Sequence, residues 1–187
     1  SGFTVLTASI LHYTKNKNVL VVDADYPQFS IQKMRTREIE IINQNDTFKK
    51  MMISQFRQLN KKAYEIISSS PDEVMETISE YLETCDNKID YVLIDLPGTV
   101  NASGVLKTIS KLDFLFLPVT ADKIVLESSL SFASVVQQNL EVKGIYLFWN
   151  MVDRREKTAL YDFYNRIMDE MQLKSLVQTI PDTKKYR

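Results

Sequence analysis

With a single cysteine, Cys85, and a single histidine, His12, the 187-residue chain can form neither an internal disulfide framework nor a histidine-rich metal site. Cys85 is expected as a small apolar residue near a helix end and His12 as a helix-surface residue, and neither is given a role. A lone thiol fits a reducing compartment, so the expected location is the cytoplasm. An excess of charge of one sign is missing too. The 23 basic residues stand against 24 acidic ones, and a net charge of −1 creates no global field for drawing in nucleic acid. Any such binding would have to use a local patch. No apolar run approaches the ~20 residues of a membrane span. Internal repeats, long linkers and low-complexity tracts are absent, and the ordinary composition predicts one domain.

What is present is a series of short apolar runs that end abruptly in polar residues. The most distinct is residues 91–98, Tyr-Val-Leu-Ile-Asp-Leu-Pro-Gly, which predicts a strand buried on both faces, as in parallel α/β sheets. Such strands present ligands at their carboxyl ends. Asp95 would there hold a Mg2+ water shell, and Gly98 would let a bare backbone N–H approach a phosphate. The same Asp-Leu-Pro-Gly turn also makes an ordinary strand exit. A second strand, 19–22, ends in Asp23-Ala24-Asp25-Tyr26-Pro27-Gln28. Strand alternation would put Asp23 and Asp25 on one side, one ordering metal-bound water and the other orienting an attacking water. A helix cap or turn is the alternative, since Asp and Pro both favour it.

Helical periodicity fills the intervals. Residues 3–13 predict a helix with Phe3, Leu6, Ile10 and Tyr13 on one face. Residues 46–67 predict one long amphipathic helix. Its stripe of Phe48, Met52, Phe56, Leu59, Ala63 and Ile66 should cover the sheet, and Lys49, Lys50, Arg57, Lys61 and Lys62 lie mostly off it. The next helix should begin at 70–73, with Ser70 as cap, Pro71 in the first turn and Glu73 completing a capping box, and run to about residue 84. Beyond the strand at 91, a helix is expected over 101–111 and a strand over 114–119. A helix opened by Asp122 should reach about residue 139, turning Val125, Phe132, Val135 and Val136 inward. A strand over 145–149, a helix marked by Leu160, Phe163, Tyr164, Ile167 and Met171, and a strand over 176–180 complete the order. The alternation predicts an α/β fold, a three-layer, doubly wound and mainly parallel sheet with right-handed crossovers.

Asp23, Asp25, Asp95, Gly98, Thr120, Asn150 and Asp182 all fall at or just beyond the carboxyl ends of these strands. A common rim of three carboxylates and a glycine suits a Mg2+ nucleoside triphosphate, and an Asn at a later strand end can read a base edge.

At these residues the sequence resembles the ParA and MinD type ATPases, P-loop proteins with a deviant Walker A loop. Val-Leu-Val-Val-Asp-Ala-Asp-Tyr-Pro-Gln is similar to their second-strand motif, and Val-Leu-Ile-Asp-Leu-Pro-Gly to their Walker B and switch region. Phe-Leu-Phe-Leu-Pro-Val-Thr, Asn-Met-Val-Asp-Arg-Arg and the Ile-Pro-Asp-Thr ending resemble later segments, so the likeness spans nearly the whole chain. It looks closest to the ParA-like proteins of conjugative elements. The resemblance implies ATP and Mg2+ as cofactors, Asp25 positioning the attacking water, Asp23 and Asp95 in the magnesium shell, and Gly98, Asn150, Pro181 and Asp182 on the nucleotide side. It also implies an ATP-dependent homodimer and a partner protein that stimulates hydrolysis. Nonspecific DNA binding would use the basic clusters Arg154, Arg155, Lys157 and Lys184, Lys185, Arg187.

Two departures matter. Tyr26 is inserted before Pro27, where the family pattern reads Asp-x-Asp-Pro-Gln. The loop Lys-Gly-Gly-x-Gly-Lys followed by Ser or Thr, expected just before Phe3, is not in the sequence, nor is the first strand of the family's sheet. The expectation is therefore a ParA-like domain spanning 1–187, cut at both ends, that binds ATP weakly or not at all. Three other readings remain. A receiver-like phospho-acceptor domain would use Asp23, Asp25, Asp95 and Thr120, but no Lys closes the strand at Trp149 and two long helices separate Asp25 from Asp95. Guanine recognition by Asn150-x-x-Asp153 has Met151 where a lysine is wanted. A non-hydrolysing scaffold would use its sheet only for dimerisation or partner docking.

Overall fold

The computed structural model describes residues 1–98, 104–153, 155 and 158–182. They belong to two compact units, Ser1–Val105 and Leu106–Arg187, each built on a three-stranded parallel sheet with helices packed against it. Among the described residues no helix is long and apolar enough to cross a membrane.

The first unit runs α1 (Gly2–Ser9), a π-helical turn (Ile10–Thr14), β1 (Val19–Asp23), α2 (Ser30–Gln44), α3 (Asp46–Leu59), β2 (Glu65–Ser68), α4 (Val74–Thr84) and β3 (Tyr91–Asp95). Its strands lie in the order β2-β1-β3. Every residue of β1 is buried, because its alternate side chains feed two separate cores. Val19 and Val21 pack with Ala8, Ile31 and Tyr64, under α1 and α2. Leu20 and Val22 pack with Ala24, Val74 and Ile78, under α4. Three layers result, and each fully buried Val or Leu contributes roughly 1.5–3 kcal/mol.

Several expectations are corrected in this unit. As expected β3 packs on both faces, Leu93 against one core and Val92 and Ile94 against the other, but only β1 is buried throughout, and the first residue of β3, Tyr91, is 45% exposed. The helix expected over 46–67 stops at Leu59. Asn60 takes a left-handed conformation (φ 48°, ψ 40°), its N–H closing on Arg57 O, and the chain then enters β2. Ala63 and Ile66 matched the helical period only by coincidence. The stripe does not cover the sheet, since none of the described residues of α3 is buried. Helix α2 was not anticipated, because its sequence is mostly polar. Helix α4 starts at Val74, after a turn in which the Ser70 hydroxyl donates to Glu73 Oε2 rather than capping a backbone N–H. His12 is buried rather than on the surface: Nε2 lies 2.9 Å from Lys62 O, and the ring meets Tyr13 and Tyr64 edge-on.

The second unit holds most of α5 (Val105–Ile109), then β4 (Phe114–Val119), α6 (Lys123–Asn139), β5 (Gly144–Trp149), α7 (Thr158–Glu170) and β6 (Lys174–Ser175), with sheet order β4-β5-β6. Asp122 caps α6 as expected, accepting from Val125 N–H at 3.0 Å. The buried face of α6 is Leu126, Leu130, Ala133 and Val136, while Val125 and Val135 are exposed and Phe132 is half-buried. Leu126, Leu130 and Ala133 join Val119, Leu147, Trp149, Met168 and Leu173 in one core. The last strand is Lys174–Ser175 rather than 176–180. In the later segment Leu176 and Ile180 still donate to the β5 carbonyls of Leu147 and Trp149, but without a regular ladder. Of the helix expected over 101–111, positions 101–103 lie outside the described residues.

Candidate strand-end carboxylate site

Asp23 and Asp95 are the last residues of two adjacent parallel strands and face each other in register. Both are buried, so the pairing places two carboxyl groups side by side at one sheet edge. Asp23 Oδ2 accepts the N–H groups of Ile31 and Gln32 at 2.9 Å each, in the first turn of α2. Those amides are among the helix's unpaired donors, and the positive end of the helix dipole adds to their effect. Asp95 Oδ1 accepts the Thr4 hydroxyl at 2.7 Å and lies 3.1 Å from the Ser1 amino group. Neither Thr4 nor the amides of Ile31 and Gln32 was singled out from the sequence. The long-range pairing that joins them to these acids leaves no local motif.

Asp25 lies two residues beyond β1, outside the strand, and is half-buried. Partial burial, followed by the charges of Asp95 and Asp23, holds its carboxyl above the ordinary range. The three acids therefore form one like-charge corner. Among the described residues no group of three or more His, Cys, Asp or Glu could ligate a metal ion directly. The corner fits a hydrated Mg2+ reached through its water molecules: the like-charge crowding felt at Asp25 is relieved by a cation, and Mg2+ characteristically keeps several waters. The phosphate side is less complete. The whole chain has four glycines and no Gly-rich lysine loop. Gly98 is exposed, and among the described residues a Cβ there would meet nothing within 4 Å, so those residues impose no steric need for glycine.

In the second unit Asn150, Pro181 and Asp182 gather around the carboxyl end of β5. Asn150 N–H donates to Val119 O at 2.8 Å, Val152 pairs with Pro181, and Asp182 N–H donates to Val152 O at 3.0 Å. Thr120 directly follows β4. Nearby, Arg155 forks onto Asp153, with Nε at 3.0 Å from Oδ1 and Nη2 at 2.6 Å from Oδ2. These hydrogen bonds pull Asp153 down to about 2. Of the basic clusters, Arg154, Lys157, Lys184, Lys185 and Arg187 lie outside the described residues, and Arg155 has its charge offset by Asp153.

No family model matches the chain, and no curated protein does. Solved structures do. The MinD cell division protein of Aquifex aeolicus aligns with TM-score 0.58 and 16% identity, over 98% of this chain and 78% of that one. The MinC:MinD complex from the same organism gives TM-score 0.56 and 16% identity over the same shares. A structure described as a partition protein gives 0.56 and 15%, over 98% of this chain and 64% of that one. At such identities the likeness establishes the fold: α/β, mainly parallel and P-loop NTPase-like, of the type seen in MinD and the partition protein.

Proposed function

We propose that this chain is the body of a ParA-like ATPase, in which Mg2+-dependent ATP hydrolysis and ATP-dependent dimerisation serve partition or transfer of plasmid or conjugative-element DNA. The observation that supports this most is Asp23 facing Asp95 at adjacent parallel strand ends, with Asp25 crowded against them, in a fold shared with MinD and a partition protein. In this reading Asp23 and Asp95 hold the water shell of Mg2+, which supplies charge neutralisation for the phosphates. Asp25 orients the attacking water. Gly98 offers its N–H to phosphate. The 187-residue chain lacks the lysine loop that would cradle the phosphates, so it binds ATP weakly or not at all. Calorimetry tests this: no saturable isotherm is expected at millimolar ATP with Mg2+, and one is expected once a Lys-Gly-Gly-x-Gly-Lys-Thr loop with its preceding strand is supplied before Phe3. Saturable binding by the unextended chain overturns the weak-binding statement.

A non-hydrolysing docking scaffold is the second reading. It is favoured by the bonds of Asp23 to the α2 amides, which are a purely structural use of that acid. An extended chain that binds ATP but does not turn it over would support it. Covalent labelling of Asp95 by acetyl phosphate would instead point to a receiver-like domain.

A further inference from the structure

The two outer surfaces of the β2-β1-β3 sheet are unlike. On the α1/α2 side, α3 is held by α2, by Phe56 against Tyr13 at 6.3 Å between ring centroids, and by Lys61 Nζ on Lys17 O at 2.8 Å. Phe48, Met51 and Leu59 on α3 are exposed. From residue 46 to 62 the chain carries Lys49, Lys50, Arg57, Lys61 and Lys62 against Asp46 alone. On the other side α4 exposes Met75 and Leu82 beside Glu76, Glu80 and Glu83, and residues 72–86 contain no Lys or Arg. In a chain of nearly zero net charge, each helix thus offers a short apolar strip edged by the charge the other lacks.

We propose that a second copy of this chain covers α3 with its own α4, giving head-to-tail self-association that needs no nucleotide. Because α3 is held on the α2 side of the sheet and α4 packs on the opposite face, a molecule cannot join them within itself. A single two-fold patch cannot hold both, so the contact is heterologous and adds copies until it closes or the chain of molecules ends. An anionic lipid surface or DNA would match α3 alone and leave the exposed Met75 and Leu82 without an explanation. A second copy accounts for both strips.

Sedimentation velocity of the full chain without nucleotide tests this. The weight-average mass should rise with concentration past that of a dimer. The association should weaken at least ~10-fold as salt goes from about 0.05 to 0.5 M, over which the Debye length shrinks severalfold. Lys49→Ser, Lys50→Ser and Met51→Ser combined should leave a monomer. So should Met75→Ser, Glu76→Gln and Glu80→Gln, with circular dichroism confirming that both variants are folded. Mixed, the two variants keep one good surface each and should form a 1:1 heterodimer that grows no further. A wild-type chain that stays monomeric, one that halts at a dimer, or a mixture of variants that stays monomeric overturns the proposal. Capture of a monomeric wild type by anionic vesicles or duplex DNA through Lys49 and Lys50 also overturns it and assigns α3 to that surface.

Discussion

Asp25 and Asp153 are aspartates a few residues past parallel strand ends, one in each unit, yet their carboxyl groups are shifted in opposite directions. Asp25 is raised by burial and by Asp95 and Asp23, whereas Asp153 is lowered to about 2 by the hydrogen bonds of Arg155. The first is a partly buried group crowded by two like charges, and the second is a surface ion pair already complete. A strand-end carboxylate suggests metal or phosphate chemistry only when its own neighbours do not satisfy it. By that measure Asp25 is the candidate for chemistry, beside Asp23 and Asp95, which already accept hydrogen bonds, and the Asp153–Arg155 pair is surface structure.

The largest effect on this contrast should come from Asp23→Ala. It strips two N–H groups of α2 of their acceptor, at a cost of about 1–3 kcal/mol readable by urea denaturation, and it lowers the Asp25 pKa toward the ordinary value. Asp23→Asn keeps an acceptor and should cost less while still relieving Asp25. If both variants unfold at the wild-type midpoint, Asp23 is not holding α2.

Asp25→Asn should act with the opposite sign. A carboxyl whose folded pKa is raised contributes stability that is full below its unfolded value and is lost as pH rises through the folded one. The variant should therefore melt above wild type at neutral pH and lose that advantage in acid. An unchanged difference across the pH range would contradict the crowding. Millimolar Mg2+ should lower the Asp25 pKa followed by carboxyl-carbon NMR, and an unmoved titration would remove the cation from this corner.

The smallest effect belongs to Arg155→Ala. It should bring the Asp153 carboxyl from about 2 back toward its ordinary 3.8. Because Asp153 is depressed in the folded state, the pair's contribution is present above the ordinary value and fades as pH falls through about 2. Both groups are on the surface, so the melting temperature at neutral pH should barely move.

The carboxylate corner was legible in the sequence only in part. Asp23 and Asp95 follow uninterrupted apolar β-branched runs, and that local pattern alone located both strand ends. The alternation of elements likewise gave the α/β class. What escaped depends on contacts distant in sequence. The short strand Glu65–Ser68 follows α3 nearly in phase with its helical period. Helix α2 has little apolar content, and its first turn is held by an acid on β1. His12 is buried by Lys62 and Tyr64, about fifty residues away, and Thr4 reaches Asp95 across the whole unit.

The most direct test is Mg2+-dependent ATP turnover by the chain extended before Phe3 with the lysine loop and its strand, beside the same protein carrying Asp25→Ala. Measurable turnover is expected, and Asp25→Ala should lower it by about 100-fold or more with ATP binding retained, the scale expected when a group positioning the attacking water is removed. Turnover unaffected by the substitution would contradict that role for Asp25.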